Sequence, residues 1–233
     1  MPQPTAPYRK SIGLIGGLGP LAGATVYQRL VEAAGADSDE EHPEVVLLSD
    51  PAVPSRQAHL RGRGPTPVPR LCQMARRLEN AGCGVLLITS VTTHAYADDI
   101  RSCVRVPVID APAAVAEALR SAGVAHPALA VTTPARTHGL LDRALSAAGI
   151  QPRYPDDVVQ ETIQNIVMAV KAGGDLTCLG QELDAALTGG WTTEADVAVI
   201  GCTDMALLVP YLQHPVHDVA AIMAGAALAE ACR

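Results

Sequence analysis

Short apolar runs alternate with longer amphipathic segments along the chain, and this alternation limits the folds that the chain can adopt. The apolar runs are Ile12 to Ile15, Val45 to Leu48, Val85 to Ile88, Val106 to Ile109, Leu129 to Thr132 and Val197 to Ile200. Continuous apolar strands with helices between them are typical of a mostly parallel sheet that helices cover on both faces. The pattern therefore predicts an α/β fold.

Three of the amphipathic segments stop shortly before a glycine. The predicted helices are Pro67 to Asn80, Ala113 to Ser121 and Pro134 to Ala148, with Gly82, Gly123 and Gly149 after them. Glycine adopts the left-handed conformation that closes a helix C-terminus without a steric penalty. We therefore expect each of these helices to end at its glycine.

One strand pattern occurs twice in the chain, each time with a short polar or nucleophilic side chain at its end. Val85 to Ile88 leads to Ser90, and Val197 to Ile200 leads to Cys202. Each copy lies in a half that opens with its own strand and turn. The repeat predicts two related lobes that face each other. Because ligands bind beyond the C-terminal ends of strands in open parallel sheets, we expect one active site in the cleft between the lobes.

Charge and aromatic content argue against a nucleic-acid partner. The 233 residues carry 17 Lys and Arg side chains against 24 Asp and Glu, a formal net charge of −7, whereas a nucleic-acid surface is normally basic. Aromatic residues make up only 3% of the chain, with no Phe and a single Trp191, so a base-stacking platform lacks its side chains. We expect a small, polar substrate.

Hydropathy and cysteine spacing restrict location and metal binding. No apolar run reaches the about 18 residues of a membrane span, and the first ten residues contain no apolar segment of a secretory signal. We therefore expect a cytoplasmic protein with no membrane partner. The six cysteines include no Cys-x-x-Cys pair, so we expect free thiols in a reducing compartment. His214 and His217 lack a third ligand nearby, so we predict a loop there and no metal site.

The first strand runs into a glycine-rich loop that spans Gly13 to Pro20. Its spacing differs from the G-x-G-x-x-G dinucleotide fingerprint, and no P-loop lysine follows it. The glycines allow backbone N–H groups to approach a ligand, and Pro20 suits the first turn of a helix whose N-terminus favours an anion. The loop is either a carboxylate-binding turn or a tight turn without a ligand.

Cys202 is the main candidate for catalysis. A lone cysteine is commonly a small core residue, but Thr203 and Asp204 add polar groups and can begin a helix whose amides lower the pKa of the thiol. A thiolate at this position could remove a proton from carbon. His94 is either a general base or a residue that packs at the end of a strand.

Two cations are candidates for carboxylate binding. Arg56 follows a proline-punctuated loop and could turn back over the cleft to bind a carboxylate, or it could be an ordinary surface arginine. Lys171 ends a predicted helix, where it could bind substrate or complement the helix dipole.

These motifs together resemble the cofactor-independent aspartate/glutamate racemase superfamily, which also includes hydantoin racemase, maleate isomerase and arylmalonate decarboxylase. The matching segments are Ile12 to Pro20, Ser49 to Arg56, Thr89 to His94, Thr132 with Thr133, Gln160 with Lys171 to Gly173, and Ile200 to Asp204. They cover nearly the whole chain, and their order and spacing carry the resemblance.

The resemblance implies a fold, an assembly and a reaction class. The fold is a pair of pseudo-twofold related α/β lobes, commonly assembled as a homodimer. Because the C-terminal helix returns to the first lobe, we expect residues 1–111 with 212–233 to form the N-terminal lobe and residues 112–211 to form the second. The implied activity is that of a racemase or epimerase, an isomerase that acts on a carboxylate or amino-acid substrate without pyridoxal phosphate.

The resemblance also implies roles for individual residues. In racemases of this superfamily, one cysteine from each lobe acts on opposite faces of the substrate α-carbon. Cys202 and Ser90 occupy these catalytic positions here. The implied substrate-binding residues are Gly17, Arg56, Thr92, Thr93, Thr133, Lys171 and Thr203. Arg56 and Lys171 resemble the clamp for the side-chain carboxylate in aspartate-type racemases, which favours an amino dicarboxylic acid or a related diacid.

The chain departs from the pattern in the first lobe. Where a typical aspartate racemase reads Pro-Cys-Asn-Thr-Ala-His, this chain has Ser90 in place of the cysteine and Val91 in place of the asparagine. An unassisted hydroxyl is a much weaker acid than a thiol and rarely serves as a base at neutral pH, which argues against symmetric racemisation by two cysteines. Val91 favours a more apolar substrate.

Three hypotheses follow for the function. The first is an isomerase in which Cys202 works opposite Ser90, Thr92 or a relayed water. The second is a decarboxylating lyase with Cys202 as the sole proton donor. The third is a binding role at a site that has lost its activity.

Overall fold

Two parallel sheets of three strands each form the centres of two lobes. The computed structural model describes residues 8–233, so the first seven residues of the predicted N-terminal lobe lie outside it. The first sheet has the order β2-β1-β3, with β1 (Ile12–Gly16), β2 (Val45–Ser49) and β3 (Val85–Ile88). The second has the order β4-β5-β6, with β4 (Ala128–Ala130), β5 (Ala198–Ile200) and β6 (Val216–Asp218). All pairings are parallel, which confirms the predicted α/β class with two lobes.

Helices surround both sheets. The α-helices are α1 (Pro20–Ala34), α2 (Arg56–Leu60), α3 (Val68–Asn80), α4 (Ala97–Ser102), α5 (Ala111–Ser121), α6 (Thr133–Thr137), α7 (Asp142–Ala147), α8 (Asp157–Lys171), α9 (Leu176–Leu187) and α10 (Val219–Ala231). Short 3-10 helices span Asp39–Glu41, Val91–Tyr96 and Met205–Tyr211. Across residues 8–233, no helix has both the length and the apolar character needed to cross a membrane.

Two strand predictions are wrong. The run Val106 to Ile109 forms only an isolated bridge, between Val108 and Leu86, because Pro107 has no N–H to extend the ladder. The segment around His217 was expected to be a loop, yet β6 pairs with β5 there. Two of its three residues, His217 and Asp218, are polar, so it lacks the apolar run that marks the other strands.

The predicted helix ends are mostly correct. Gly82, Gly123 and Gly149 all have positive φ angles, of 91°, 72° and 75°, as expected for residues that close helices. The continuous helix predicted from Pro134 to Ala148 is wrong. Gly139 adopts a φ of 57° and divides this segment into α6 and α7, because a left-handed residue cannot continue a right-handed helix.

The last helix of each half joins the two lobes. α10 follows β6 of the second sheet and packs against α1, β1 and β3 of the first lobe, whereas α5 contacts α7 of the second lobe and α10. Arg29 on α1 forms an ion pair of 2.8 Å with Asp218, the N-cap of α10, and this contact holds the start of α10 against the first lobe. The domain boundaries at residues 111/112 and 211/212 stay a prediction, and β6 lies in the segment assigned to the first lobe while pairing in the second sheet.

The prediction that all cysteines are free thiols is wrong for one pair. Cys72 on α3 and Cys103, just after α4, form a disulfide, with their Cα atoms 5.6 Å apart. The packing of α3 against α4 brings together two residues that are 31 positions apart, and their spacing in the sequence carries no sign of it. Cys83, Cys178, Cys202 and Cys232 are free.

Candidate active site

A cavity of about 310 Å³ lies between the two lobes, at the C-terminal ends of their strands. The loops after β1, β2 and β3 form its first-lobe wall, and the loops after β4 and β5 form its second-lobe wall together with the end of α8. This volume is at the lower end of the range of small-molecule sites. The position agrees with the predicted cleft, and the size suits a small substrate.

Most of the predicted site residues line this cavity: Gly17, Arg56, Ser90, Thr92, Lys171, Cys202 and Thr203. Gly17 has a φ of 81°, and a Cβ atom there would lie 2.3 Å from the backbone nitrogen of Asp50. Only glycine fits this turn, which carries the chain from β1 to the helix α1 that begins at Pro20.

The predicted Thr93 and Thr133 lie outside the cavity. Thr93 is fully buried and points away from the cavity that Thr92 lines, because consecutive residues of a 3-10 helix point in directions about 120° apart. Thr133 begins α6 and lines a different depression on the outside of the second lobe, where its N–H donates to Gln164. The residue before it, Thr132, faces the cavity instead. The prediction missed by one position at the turn between strand and helix.

Hydroxyl groups connect the lobes at the cavity. The Oγ1 atoms of Thr92 and Thr132 are 3.1 Å apart and share a hydrogen bond. The Thr203 hydroxyl donates to the carbonyl of Thr89 at 2.9 Å, across the boundary between the lobes. Gln160 of α8 donates to the carbonyl of Val131 at 3.0 Å and so orients the turn that carries Thr132. These contacts hold the two walls in register.

Cys202 lies on the second-lobe wall, directly after β5, and is only 5% exposed. The preceding Gly201 is required for packing, because a Cβ atom there would lie 2.5 Å from Cγ1 of Val131. The Cys202 Sγ atom is 3.9 Å from Oδ2 of Asp204. The cysteine is therefore largely buried and lies beside a carboxylate.

Burial raises the pKa of the Cys202 thiol to about 12, and the negative charge of Asp204 contributes to this rise. The backbone N–H groups of Asp204 and Met205 and the charge of Lys171 act in the opposite direction. The amides therefore act in the predicted direction, but the expectation of a lowered pKa is wrong, because burial and the carboxylate outweigh them. In the empty cavity at neutral pH, Cys202 is a protonated thiol and thus a proton donor.

Asp204 and Lys171 form an ion pair inside the cavity, with 2.5 Å between Nζ and Oδ2. Gly19 of the glycine-rich loop lies against this pair, since a Cβ atom there would be 2.7 Å from Asp204 Oδ1 and 2.9 Å from Lys171 Nζ. Asp204 is absent from the predicted site residues, although the sequence identifies it as a polar group and a possible helix start beside Cys202. Its position two residues after Cys202 was the feature of the sequence that could have identified it as a site residue.

Arg56 reaches the cavity from the loop after β2. Ser55 caps α2 through a hydrogen bond from the N–H of Ala58, and this cap sets the turn at Arg56. The guanidinium donates to the backbone carbonyls of Leu18, Val53 and Pro54. Burial lowers its pKa, and the nearby charge of Asp204 partly offsets this. No carboxylate within residues 8–233 forms an ion pair with Arg56, so its charge is available to a ligand.

Ser90 lies on the first-lobe wall and is 8% exposed. Its carbonyl accepts hydrogen bonds from the N–H of Thr93 at 3.1 Å and from Nδ1 of His94 at 2.9 Å. Burial lowers the pKa of His94, so its imidazole is neutral at pH 7. Because the ring binds the carbonyl of Ser90, it holds the backbone at this residue, and the structure favours the packing role for His94 over a general base.

Additional residues complete the walls. Val91 and Met168 supply apolar surface, and Met168, 51% exposed, lies at the rim. Ser55 and Gln57 add polar groups beside Arg56. The arrangement offers one thiol, several hydroxyls and an unpaired guanidinium around a small space. Such a site can bind a carboxylate and transfer a proton at the neighbouring carbon.

Comparisons with known proteins agree with this fold. A family model described as Asp/Glu/Hydantoin racemase matches residues 15–232. The Picrophilus torridus aspartate racemase has the same fold, with a TM-score of 0.86, 23% identity, and coverage of 95% of this chain and 94% of that one.

Two further solved structures share the fold. One is a putative Asp/Glu racemase from Yersinia pestis, with a TM-score of 0.77, 24% identity, and coverage of 96% of this chain and 100% of that one. The other is an aspartate racemase homologue from Pyrococcus horikoshii, with a TM-score of 0.74, 22% identity, and coverage of 96% and 100%. The similarity therefore extends over both lobes.

Proposed function

The chain belongs to the Asp/Glu/hydantoin racemase family and is an isomerase, and on this basis we propose that it transfers the α-proton of an amino dicarboxylic acid between Cys202 and Ser90. One observation carries the proposal. Cys202 and Ser90 follow β5 and β3, at corresponding positions of the two lobes, and both line one cavity. A substrate held between them presents one face of its α-carbon to each residue.

The cations support a dicarboxylic substrate. Arg56 has a charge that no carboxylate of the described chain neutralises, and Lys171 lies across the same cavity. A guanidinium is suited to a carboxylate because its N–H groups match the two oxygens. The cavity of about 310 Å³ accommodates a substrate of the size of aspartate or glutamate. The name of the Picrophilus relative, an aspartate racemase, points to the same substrate class.

In the mechanism that we propose, chemically different groups act on the two faces of the α-carbon. Removal of the α-proton leaves an enolate-like anion, and the hydroxyls of Thr92 and Thr132 are placed to donate to its developing charge. Cys202 exchanges a proton with one face of the α-carbon. Ser90, directly or through a water molecule, exchanges a proton with the other face. No pyridoxal phosphate or metal takes part, so stabilisation of the anion by the cavity supplies what a cofactor would.

Proton NMR in D2O tests the proposal. We expect deuterium to enter the α-position of one or both enantiomers of aspartate or glutamate with the wild-type protein, and this exchange to be lost in Cys202→Ala. Cys178→Ala is the matched control, because Cys178 is a free, exposed cysteine outside the cavity. Exchange that persists in Cys202→Ala, or that is absent from the wild type with all four substrates, would refute the proposal.

A second candidate function is a cofactor-free decarboxylase. Two observations favour it: Cys202 is a protonated thiol in the empty cavity, and Val91 and Met168 give the cavity an apolar side. Loss of carbon dioxide from a substituted malonate would leave an enediolate that Cys202 protonates on one face. Release of carbon dioxide with one product enantiomer, and no exchange on amino acids, would select this function.

We further expect a cytoplasmic homodimer, and sedimentation equilibrium tests the assembly.

A further inference from the structure

The charged side chains of the cavity match the charges of an amino dicarboxylate. Arg56 and Lys171 are cationic and Asp204 is anionic, so these three groups leave one positive charge. An amino dicarboxylate has two carboxylates and one ammonium group, which leave one negative charge. A diacid without the ammonium group would instead bring two negative charges close to Asp204.

The Asp204 carboxylate has one oxygen available for a ligand. Oδ2 binds Lys171 and lies beside the Cys202 thiol. Within residues 8–233, no donor bonds to Oδ1, and the side chain caps no backbone N–H group. Oδ1 lies over the open backbone of Gly19, at the cavity. Asp204 as a residue is only 6% exposed, but Oδ1 itself is not fully buried, so a ligand in the cavity can reach this oxygen.

We propose that Asp204 accepts the α-ammonium group of the substrate, and that Cys202 becomes a proton-accepting thiolate only when this ammonium group is in place. The inference rests on the proposed function, because it concerns the same cavity. On binding, the Cys202 thiol proton leaves to solvent and its electron pair stays on sulfur. The thiolate then takes the α-proton, and the electron pair of the C–H bond moves into the carboxylate of the substrate.

The physical reason is the set of charges that face Cys202. These are Asp204 on its own loop and Lys171 on α8, while Arg56 from the first lobe faces Asp204. The Asp204 charge opposes a second negative charge on sulfur. An ammonium group on Oδ1 compensates that charge and adds a positive one close to the thiol, which favours the thiolate. A ligand without an ammonium group leaves Cys202 protonated.

Isothermal titration calorimetry with L-aspartate and with succinate tests the ammonium contact. Succinate has the two carboxylates of aspartate and no ammonium group. In Asp204→Asn we expect L-aspartate to bind about 10-fold or more weakly, in line with the loss of a hydrogen bond between charged groups. Succinate should bind equally well or more tightly, because a repelling charge is gone. Asp157→Asn is the matched control, since this exposed carboxylate on α8 lies outside the cavity.

Proton release provides a second test with the wild-type protein, which does not depend on how a variant folds. Titrations in buffers of different ionisation enthalpy should show proton release on binding of L-aspartate and none on binding of succinate. Cys202→Ala should abolish this release. Equal proton release with both ligands, or release that persists in Cys202→Ala, would overturn the inference.

The outcomes separate this inference from the proposed function. Equal losses of L-aspartate and succinate affinity in Asp204→Asn, or no loss for L-aspartate, would overturn the ammonium contact even if α-proton exchange is observed. Asp204-dependent selectivity without any α-proton exchange would refute the proposed function and support the ammonium contact. Failure of the wild-type protein to bind L-aspartate would overturn the ammonium contact, whereas the proposed function fails only if α-proton exchange is absent with both enantiomers of aspartate and of glutamate.

Discussion

The first-lobe wall of the cavity carries a hydroxyl at Ser90, whereas the second-lobe wall carries a thiol at Cys202. Both residues follow the strand next to the one that opens their lobe. Cys202 has the charged groups of Asp204 and Lys171 beside it, while Ser90 is followed by the apolar Val91. The comparison shows that a repeated fold fixes the position of a group without fixing its chemistry, and here one wall holds the stronger acid.

The repeat extends further than the strands that end at Ser90 and Cys202. The bridge at Val108 and the strand β6 occupy the same place in their lobes, each beside the strand that leads to the cavity. Asp110 then caps α5, and Asp218 caps α10. The two ion pairs that these caps form differ in burial. Asp218 forms an ion pair with the mostly buried Arg29, whereas Asp110 forms one with Arg101 near the surface. α5 and α10, the helices that follow these caps, thus each contact the other half of the chain.

Among the tests of the difference between the two walls, removal of the Cys202 thiol should have the largest effect on the reaction rate. We expect Cys202→Ala to slow α-deuterium incorporation by about 10²- to 10⁴-fold, the usual contribution of a positioned acid or base. Ser90→Ala should slow it by less than about tenfold, because a hydroxyl without an activating base contributes little. Proton NMR in D2O measures both rates. Equal losses in the two variants would show that the walls contribute alike.

Ser90→Cys should make the two walls chemically alike. A thiol, with a reference pKa of roughly 8.5, is a far better acid than a hydroxyl, so we expect racemisation to accelerate by up to about 10²-fold. Chiral chromatography of the product measures the rate in both directions. In Ser90→Cys combined with Cys202→Ala, the single thiol moves to the first-lobe wall, and exchange should shift to the opposite enantiomer. An unchanged rate in Ser90→Cys would show that Ser90 does not face the α-carbon.

The two walls should also differ in how they affect stability at high pH. The pKa of Cys202 in the folded protein, about 12, lies above that of an unfolded thiol, so the folded state holds the proton more tightly. This contribution is fully present below the unfolded pKa of roughly 8.5 and is lost as the pH rises towards 12. By about pH 9.5 the wild type should lose about 1 kcal/mol more free energy of unfolding than Cys202→Ser.

Urea denaturation at several pH values measures this difference. Ser90→Ala is the control from the other wall, and its pH dependence should match that of the wild type because it removes no titrating group. Identical slopes for the wild type and Cys202→Ser above pH 8.5 would contradict a raised pKa for Cys202.

The smallest expected effect is on stability, from loss of the hydrogen bond between Thr92 and Thr132 that joins the two walls. Thr92→Val removes the hydrogen bond to Thr132 and should cost about 1 kcal/mol of unfolding free energy. Thr132→Val also removes the cap of α6, so a double-mutant cycle is needed to isolate the pair. We expect a coupling of about 0.5–1 kcal/mol from denaturation curves of the four proteins. No coupling would mean that the lobes are held together without this pair.

Much of the fold could be predicted because it depends on local sequence. Each strand of the first sheet was predicted nearly to the residue, since its apolar run is continuous and glycine or a polar residue ends it. The edge strand β6 was missed because it has only three residues, two of which are polar, and so gives no apolar pattern. The split between α6 and α7 was missed because a glycine inside an amphipathic segment does not reveal its φ angle.

The candidate site was predicted less completely. Ser90, Cys202 and Arg56 could be found because each stands just after a strand or its loop, and such positions meet at one edge of a parallel sheet. Thr133 was chosen in place of Thr132 because the direction of a side chain at a turn depends on backbone geometry. Asp204 gained its role only through Lys171, which is distant in the sequence.

The sequence by itself determined the α/β class, the two lobes, the family resemblance and the placement of one thiol opposite one hydroxyl. These features follow from apolar periodicity and from residues at strand ends, which are local properties of the chain. The tertiary structure decided the ion pair of Asp204 with Lys171, the raised pKa of Cys202, the position of Arg56 without an ion-pair partner among residues 8–233, and the disulfide between Cys72 and Cys103. Each of these depends on burial or on contacts between distant segments, which exist only once the chain has folded.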